Sequence, residues 1–161
     1  MENKRILTVI LSIALVILSI GTFIICLVMN FPEFQYGGST VIKSVIVTSA
    51  YAVVWILVLI IGILIKTRGI VKYCLVFWMI TLTISVFMVY INIVKNIGTI
   101  GGYIGNILFP LILLFAGQWY GIRFFVLSTL NLYIVVAVIS LVMVAIAILT
   151  LKYNKSKIFI K

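Results

Sequence analysis

Apolar residues run along this chain in long unbroken blocks, and the polar positions collect into short interruptions between them. Ile6 to Met29 is free of charge, Val41 to Ile65 carries only Lys43 near its start, and Tyr73 to Val94 and Phe124 to Leu151 carry none. Each block supplies the roughly 20 apolar residues with which a helix crosses a hydrocarbon core. The pattern predicts an all-α integral membrane protein, a single transmembrane domain over residues 1–161 built as a four-helix bundle. The spanning helices are expected at about 6–29, 41–65, 73–94 and 126–151.

The interruptions predict the connections. Asn30 to Thr40 reads as a loop, because Pro32, Glu33, Gly37 and Gly38 break a helix. Lys66 to Lys72 is short enough to make helices two and three an antiparallel hairpin. Lys95 to Gly105 carries Gly98, Gly101, Gly102 and Gly105 and reads as a flexible connection. A phosphate cradle of glycines follows a strand and opens a helix, and here a membrane helix precedes it.

One stretch fits neither class. Between residues 104 and 123 the chain is apolar, but its uninterrupted core from Ile107 to Gly117 is too short to cross. Pro110 interrupts it, and Gly117, Gln118, Gly121 and Arg123 bracket Trp119 and Tyr120. An apolar patch ending in Trp, Tyr and Arg suits an interfacial or re-entrant segment, whose free backbone groups must be covered by protein.

Charge decides between four passes and five. Positive residues favour the cytoplasmic side of a membrane. With four passes that side holds Lys4, Arg5, Lys66, Arg68, Lys72, Lys152, Lys155, Lys157 and Lys161, and the outer side holds Lys43, Lys95 and Arg123. A fifth pass would move the tail lysines out and Arg123 in, leaving no bias. The expectation is a multi-pass protein of the cell membrane with both termini cytoplasmic, the 104–123 segment outside, and an uncleaved first helix. Abundant lysine and isoleucine suggest an AT-rich bacterial genome. The Asn154-Lys-Ser156 acceptor would lie inside and stay idle, and the tail lysines read as a stop-transfer flank.

Composition supports lipid as the solvent: 66% of the 161 residues are hydrophobic and 9% are charged. The net charge of +10 does not indicate nucleic acid, since the basic residues sit at helix ends as anchors. Within the helices, Thr8, Ser12, Ser19 and Thr22 share one face, and Thr81, Ser85 and Asn92 share another. Small polar faces of this kind pack on neighbouring helices. Tyr73, Phe77 and Trp78 read as interfacial anchors of helix three. Tyr51 and Trp55 lie well inside helix two, where Trp55 is expected to need a hydrogen-bond partner. Cys26 and Cys74 fall in opposite leaflets, beyond disulfide reach.

Candidate chemistry is narrowed by what the chain lacks. It has no histidine or aspartate, and its two glutamates, Glu2 and Glu33, lie outside the apolar runs. Metal hydrolysis, paired-carboxylate catalysis and a Ser-His-Asp triad therefore have no residues to use at depth. Ion-coupled transport normally places an ionisable group inside the bilayer. The expected function is that of a non-enzymatic protein acting through partners (an accessory subunit, assembly factor or immunity-type protein), without metal or cofactor. Its partners would be the lipid bilayer and another membrane protein or a second copy, not nucleic acid. The alternatives are a small uncoupled channel or carrier with an outward-facing polar pocket, and a ligand sensor or enzyme using hydroxyl and backbone groups alone. Contact residues are expected at Gln118, Trp119, Tyr120 and Arg123, with Asn92, Asn131, Tyr51 and Trp55 as pocket candidates. Asn92 and Asn131 fall at similar depth and invite an interhelical hydrogen bond.

Overall fold

The computed structural model describes residues 2–36, 42–94, 99–126 and 128–156. Among these the chain is all-helical: α1 (Glu2–Tyr36), α2 (Ile42–Leu64), α3 (Arg68–Ile93), α4 (Thr99–Ala116) and α5 (Thr129–Ser156), with a 3-10 helix, Gly117–Phe125, continuing α4. Five helical stretches are long and apolar enough to cross a membrane, the fourth being Leu108–Phe125. The sequence predicts four, with residues 104–123 as an interfacial or re-entrant segment.

The burial pattern is that of a bundle solvated by lipid. Exposed positions are filled by Ile, Leu and Val, such as Leu7 and Ile17, while the buried set includes Ser19, Asn30, Ser44, Thr48, Thr81, Ser85, Gln118 and Ser140. Polar side chains face inward because hydrocarbon offers them no hydrogen bonds. On α2 the buried residues Ser44, Thr48, Tyr51, Trp55, Val58 and Gly62 alternate spacings of four and three, the seam of a coiled-coil contact. Gly62 allows close approach, since a Cβ there would lie 2.7 Å from Ile70 Cγ2. The expected packing faces are present in part: Ser19, Thr81 and Ser85 are buried, whereas Thr8, Ser12, Thr22 and Asn92 are half-buried.

α1 and α3 run in the same direction. The Ser19 and Tyr73 hydroxyls lie 3.0 Å apart, and one turn on, Phe23 meets Phe77 edge-on at 6.2 Å. α3 packs most extensively on α5, which runs the opposite way. Tyr133 of α5 sits with Ile84, Met88 and Val89, and Leu149 and Thr150 flank Ile63 and Lys66. The bundle thus has an α1/α2 end, where α1 stops, and an α2/α3 end, where α2 turns into α3.

Three boundaries correct the expectation. α1 runs through Pro32 to Tyr36 instead of ending at Met29. An internal proline costs about 3 kcal/mol, and the contacts of Asn30, Glu33 and Phe34 described below offset it. α4 begins at Thr99 and includes Pro110, so Gly101, Gly102 and Gly105 are helical and not a flexible loop. Gly98 and Lys95 lie outside the described residues.

α3 begins at Arg68 rather than Tyr73. The turn before it closes with Thr67 N–H to Gly62 O at 3.1 Å and Lys66 N–H to Ile63 O at 3.1 Å. Lys66 stands at φ 54°. This is a Schellman end with lysine in the left-handed position usually given to glycine.

The earlier start of α3 moves its aromatic residues. Five added residues at about 1.5 Å each place Tyr73, Phe77 and Trp78 more than a turn deeper than an interfacial anchor. Phe77 and Trp78 are buried in the core, and Tyr73 is half-buried.

Candidate functional site

The residues with most specific geometry gather where the 3-10 helix meets α1 and α2. Its Gln118 carbonyl oxygen accepts three hydrogen bonds: from Asn30 Nδ2 at 3.0 Å, from Thr48 Oγ1 at 2.9 Å, and from the Cys26 thiol at 3.3 Å. Asn30 Nδ2 donates its second proton to Thr48 Oγ1 at 2.9 Å. Cys26 and Asn30 come from α1 and Thr48 from α2, so one backbone oxygen of the 3-10 helix ties three elements together. A carbonyl leaving a helical path inside a membrane needs such partners, because an unsatisfied one costs several kcal/mol there. One turn along, the Ser44 hydroxyl donates to Glu33 Oε2, and Phe34 meets Tyr120 edge-on at 5.8 Å. The Gln118 side chain turns back, its Nε2 donating to Leu114 O.

Beside this clamp four aromatic side chains form a closed ring. Tyr51 meets Trp55 at 6.2 Å between ring centroids, Trp55 meets Trp78 at 6.1 Å, Trp78 meets Trp119 at 5.6 Å, and Trp119 meets Tyr51 at 5.4 Å. Trp55 also stacks on Phe77 at 3.7 Å with planes 12° apart, and Phe115 closes the cluster against Phe23 and Phe77. The Tyr51 hydroxyl and the indole nitrogens of Trp55, Trp78 and Trp119 are buried without a partner in the protein. Trp55 therefore lacks the hydrogen bond expected for it and is held by stacking. The four rings come from α2, α3 and the 3-10 helix, so they add α3 to the elements that the clamp joins.

The candidate residues fall into two groups. Gln118, Trp119, Tyr120, Tyr51 and Trp55 are brought together and buried. Arg123 is half-buried, with its Nη1 donating to the Tyr120 hydroxyl and its guanidinium 5.3 Å from that ring's centroid. Asn92 and Asn131 stay apart. Asn92 Nδ2 donates to Met88 O one turn back on its own helix at 2.7 Å, and the Asn131 side chain is exposed, so no bond joins α3 to α5 there. In place of the expected interhelical pair, Asn92 bonds within its own helix and the Asn131 backbone N–H donates to Ser128 Oγ at 3.1 Å. What the 3-10 helix presents outward is Phe124, 57% exposed, and Phe125, 71% exposed.

Sequence reasoning assigned Asn30 and Glu33 to a loop and so missed the clamp. The signal lay in spacing: Cys26, Asn30 and Glu33 are separated by four and three, as are Ser44, Thr48 and Tyr51 on α2. Two such stripes predict facing helix surfaces once α1 is allowed to continue through Pro32. Cys26 and Cys74 are both free and buried. Among the described residues no three metal-ligating side chains come together. No family model matches the chain, and no curated protein or solved structure matches it either.

Proposed function

We propose that this chain is a multi-pass membrane protein that acts by docking on another membrane protein, with the exposed Phe124 and Phe125 at the α1/α2 end as its contact. The observation that carries the reading is how the interior is filled. Among the described residues the buried polar ones are all uncharged, and the middle of the bundle is occupied by packed rings in place of a polar path. A single chain arranged this way conducts nothing along its axis, which disfavours the channel reading for the monomer. Two adjacent exposed phenylalanines on a tightly braced segment suit a contact whose shape is set before binding, which lowers the ordering cost of association.

The same reading includes a four-pass topology, with α4 and the 3-10 helix as a re-entrant segment entered and left on the outer side. Its support is geometric. α3 and α5 pack antiparallel, so the end of one and the start of the other lie at the same end of the bundle. A segment joining those two points has no net crossing to make. Gln118 then needs its three donors because the backbone turns within the membrane. Charge adds to this, since Lys66, Arg68, Lys72 and Lys152 all fall at the α2/α3 end, as cytoplasmic residues do.

The topology is checked by single cysteines at exposed positions, in a background with Cys26 and Cys74 replaced by alanine. With an impermeant thiol reagent on sealed cells, Tyr36→Cys and Phe125→Cys should label from outside, and Lys66→Cys and Lys152→Cys only after lysis. External labelling at Lys152→Cys with protection at Phe125→Cys would establish five passes.

For the docking role, tagged protein extracted in mild detergent should retain a second polypeptide in fixed stoichiometry. Phe124→Ser with Phe125→Ser should release it, without lowering the melting temperature of the purified chain. Solute flux by the purified protein in liposomes, with no retained partner, would support the channel in its place.

A further inference from the structure

The α2/α3 end carries a feature the packed core does not use. A groove of about 390 Å³ runs between α1 and the start of α3. Its walls are apolar, formed by Ile13, Val16 and Ile17 on one side and Ile70 on the other, and Thr67 and Gly69 stand at its mouth. Nothing lies within 4 Å of where a Gly69 Cβ would project, so the mouth is open. Thr67 is the N-cap of α3 but makes no side-chain capping bond, and its hydroxyl oxygen is buried without a partner.

Cations gather in sequence around Thr67 and Gly69, which stand at this mouth. Lys66, Arg68 and Lys72 are exposed beside it. Arg5, also exposed, precedes the groove-lining Ser12 by seven residues and so shares its face of α1. Of the chain's two carboxylates, Glu33 is bound to Ser44 at the opposite end. The first N–H groups of α3 add the positive end of a helix dipole.

We propose that this groove holds one acyl chain of an anionic phospholipid, with its phosphate at the start of α3 between Lys66, Arg68 and Lys72. Each part of the ligand answers one observation. The hydrocarbon walls take a chain, the cations and free N–H groups take the phosphate, and the Thr67 hydroxyl gains an acceptor. A free phosphate would leave the groove unfilled, and a zwitterionic lipid would bring its own ammonium group among these cations. The site is separate from the clamp and from the Phe124 and Phe125 surface, and it holds for either side of the membrane.

Native mass spectrometry of the full chain in mild detergent tests the assignment, with dioleoyl phosphatidylglycerol and dioleoyl phosphatidylcholine as probes. Wild-type protein should retain the anionic lipid preferentially. Basic residues near a membrane surface strengthen anionic binding about fivefold each, so Lys66→Gln with Lys72→Gln should weaken phosphatidylglycerol about 25-fold and leave phosphatidylcholine unchanged. Ile17→Trp, on an exposed position that does not threaten folding, should fill the groove and lower retention of both lipids. Neutralising Lys152 and Lys155 should change little. Equal retention of the two lipids overturns the proposal. So does wild-type binding by the double glutamine variant, or loss of binding on neutralising Lys152 and Lys155 alone.

Discussion

Replacing Gly121 by valine is expected to unseat the 3-10 helix from α2 and destabilise the fold by about 3 kcal/mol, the upper end of the range for overpacking. A Cβ at this position would lie 2.5 Å from Thr48 Oγ1 and closer still to the Ser44 carbonyl oxygen. The obstruction is backbone, in the first turn of α2, so no side-chain rotation relieves it. The segment must lift, and lifting breaks the bonds from Thr48 and Asn30 to the Gln118 carbonyl. Thermal unfolding in detergent measures the loss, with Gly21→Ala as control, since a Cβ there meets nothing within 4 Å. A second readout separates local from global effects: trypsin should cut after Arg123 in the Gly121→Val protein under conditions where wild type resists. If Gly121→Val melts with the control, the 3-10 helix does not rest on α2 at Ser44 and Thr48.

The position of that glycine marks where sequence reasoning ran out. The class of the protein was legible, because charge-free blocks of 20 or more residues have few alternatives to crossing lipid. Tyr51 and Trp55 were legible as interior residues of α2, though the stripe they share with Ser44 and Thr48 was not. Boundaries were not. Pro32 and Pro110 predict breaks by a local rule, yet both sit inside helices. For α1 the overriding terms are tertiary, as Asn30 reaches Thr48 and Ser44 reaches Glu33 across a distance no local window sees. The error at the start of α3 then propagated: placed at Tyr73, the helix makes Phe77 and Trp78 look interfacial, and begun at Arg68 it carries them into the core.

The candidate contact residues show the same limit from another side. Trp119 and Tyr120 were singled out because aromatic residues near a polar break favour an interface. Composition alone does not say which way such a ring points. In the fold both turn inward, and Phe124 and Phe125 are left facing out. The aromatic residues of the 3-10 helix thus divide into an inner pair that braces the segment and an outer pair free to meet something else. Bracing and presentation are coupled, because loosening the ring around Trp119 would also release the display of Phe124 and Phe125.

Trp55 provides the sharpest test of how that ring is held. Its indole stacks on Phe77 at 3.7 Å and on Tyr73 at 5.6 Å, and it touches Tyr51 and Trp78 edge-on. Trp55→Ala removes all four contacts at the centre of the bundle. In water-soluble cores such a deletion costs about 3–5 kcal/mol, part of it the transfer of apolar surface out of water. Helices separated in a bilayer remain in hydrocarbon, so that part is small here and packing carries the loss. About 2–3 kcal/mol is therefore expected, read as a lower unfolding midpoint in detergent. Trp55→Phe should behave differently. It keeps a ring over Phe77 and deletes the buried indole N–H that finds no partner in the protein. An unsatisfied buried donor costs about 1–3 kcal/mol, so its removal offsets the smaller ring and leaves stability within about 0.5 kcal/mol of wild type. If Trp55→Phe is as damaging as Trp55→Ala, the indole N–H is satisfied, by the Tyr51 hydroxyl beside it or by an acceptor from outside the chain, and the ring of Tyr51, Trp55, Trp78 and Trp119 is not held by stacking alone.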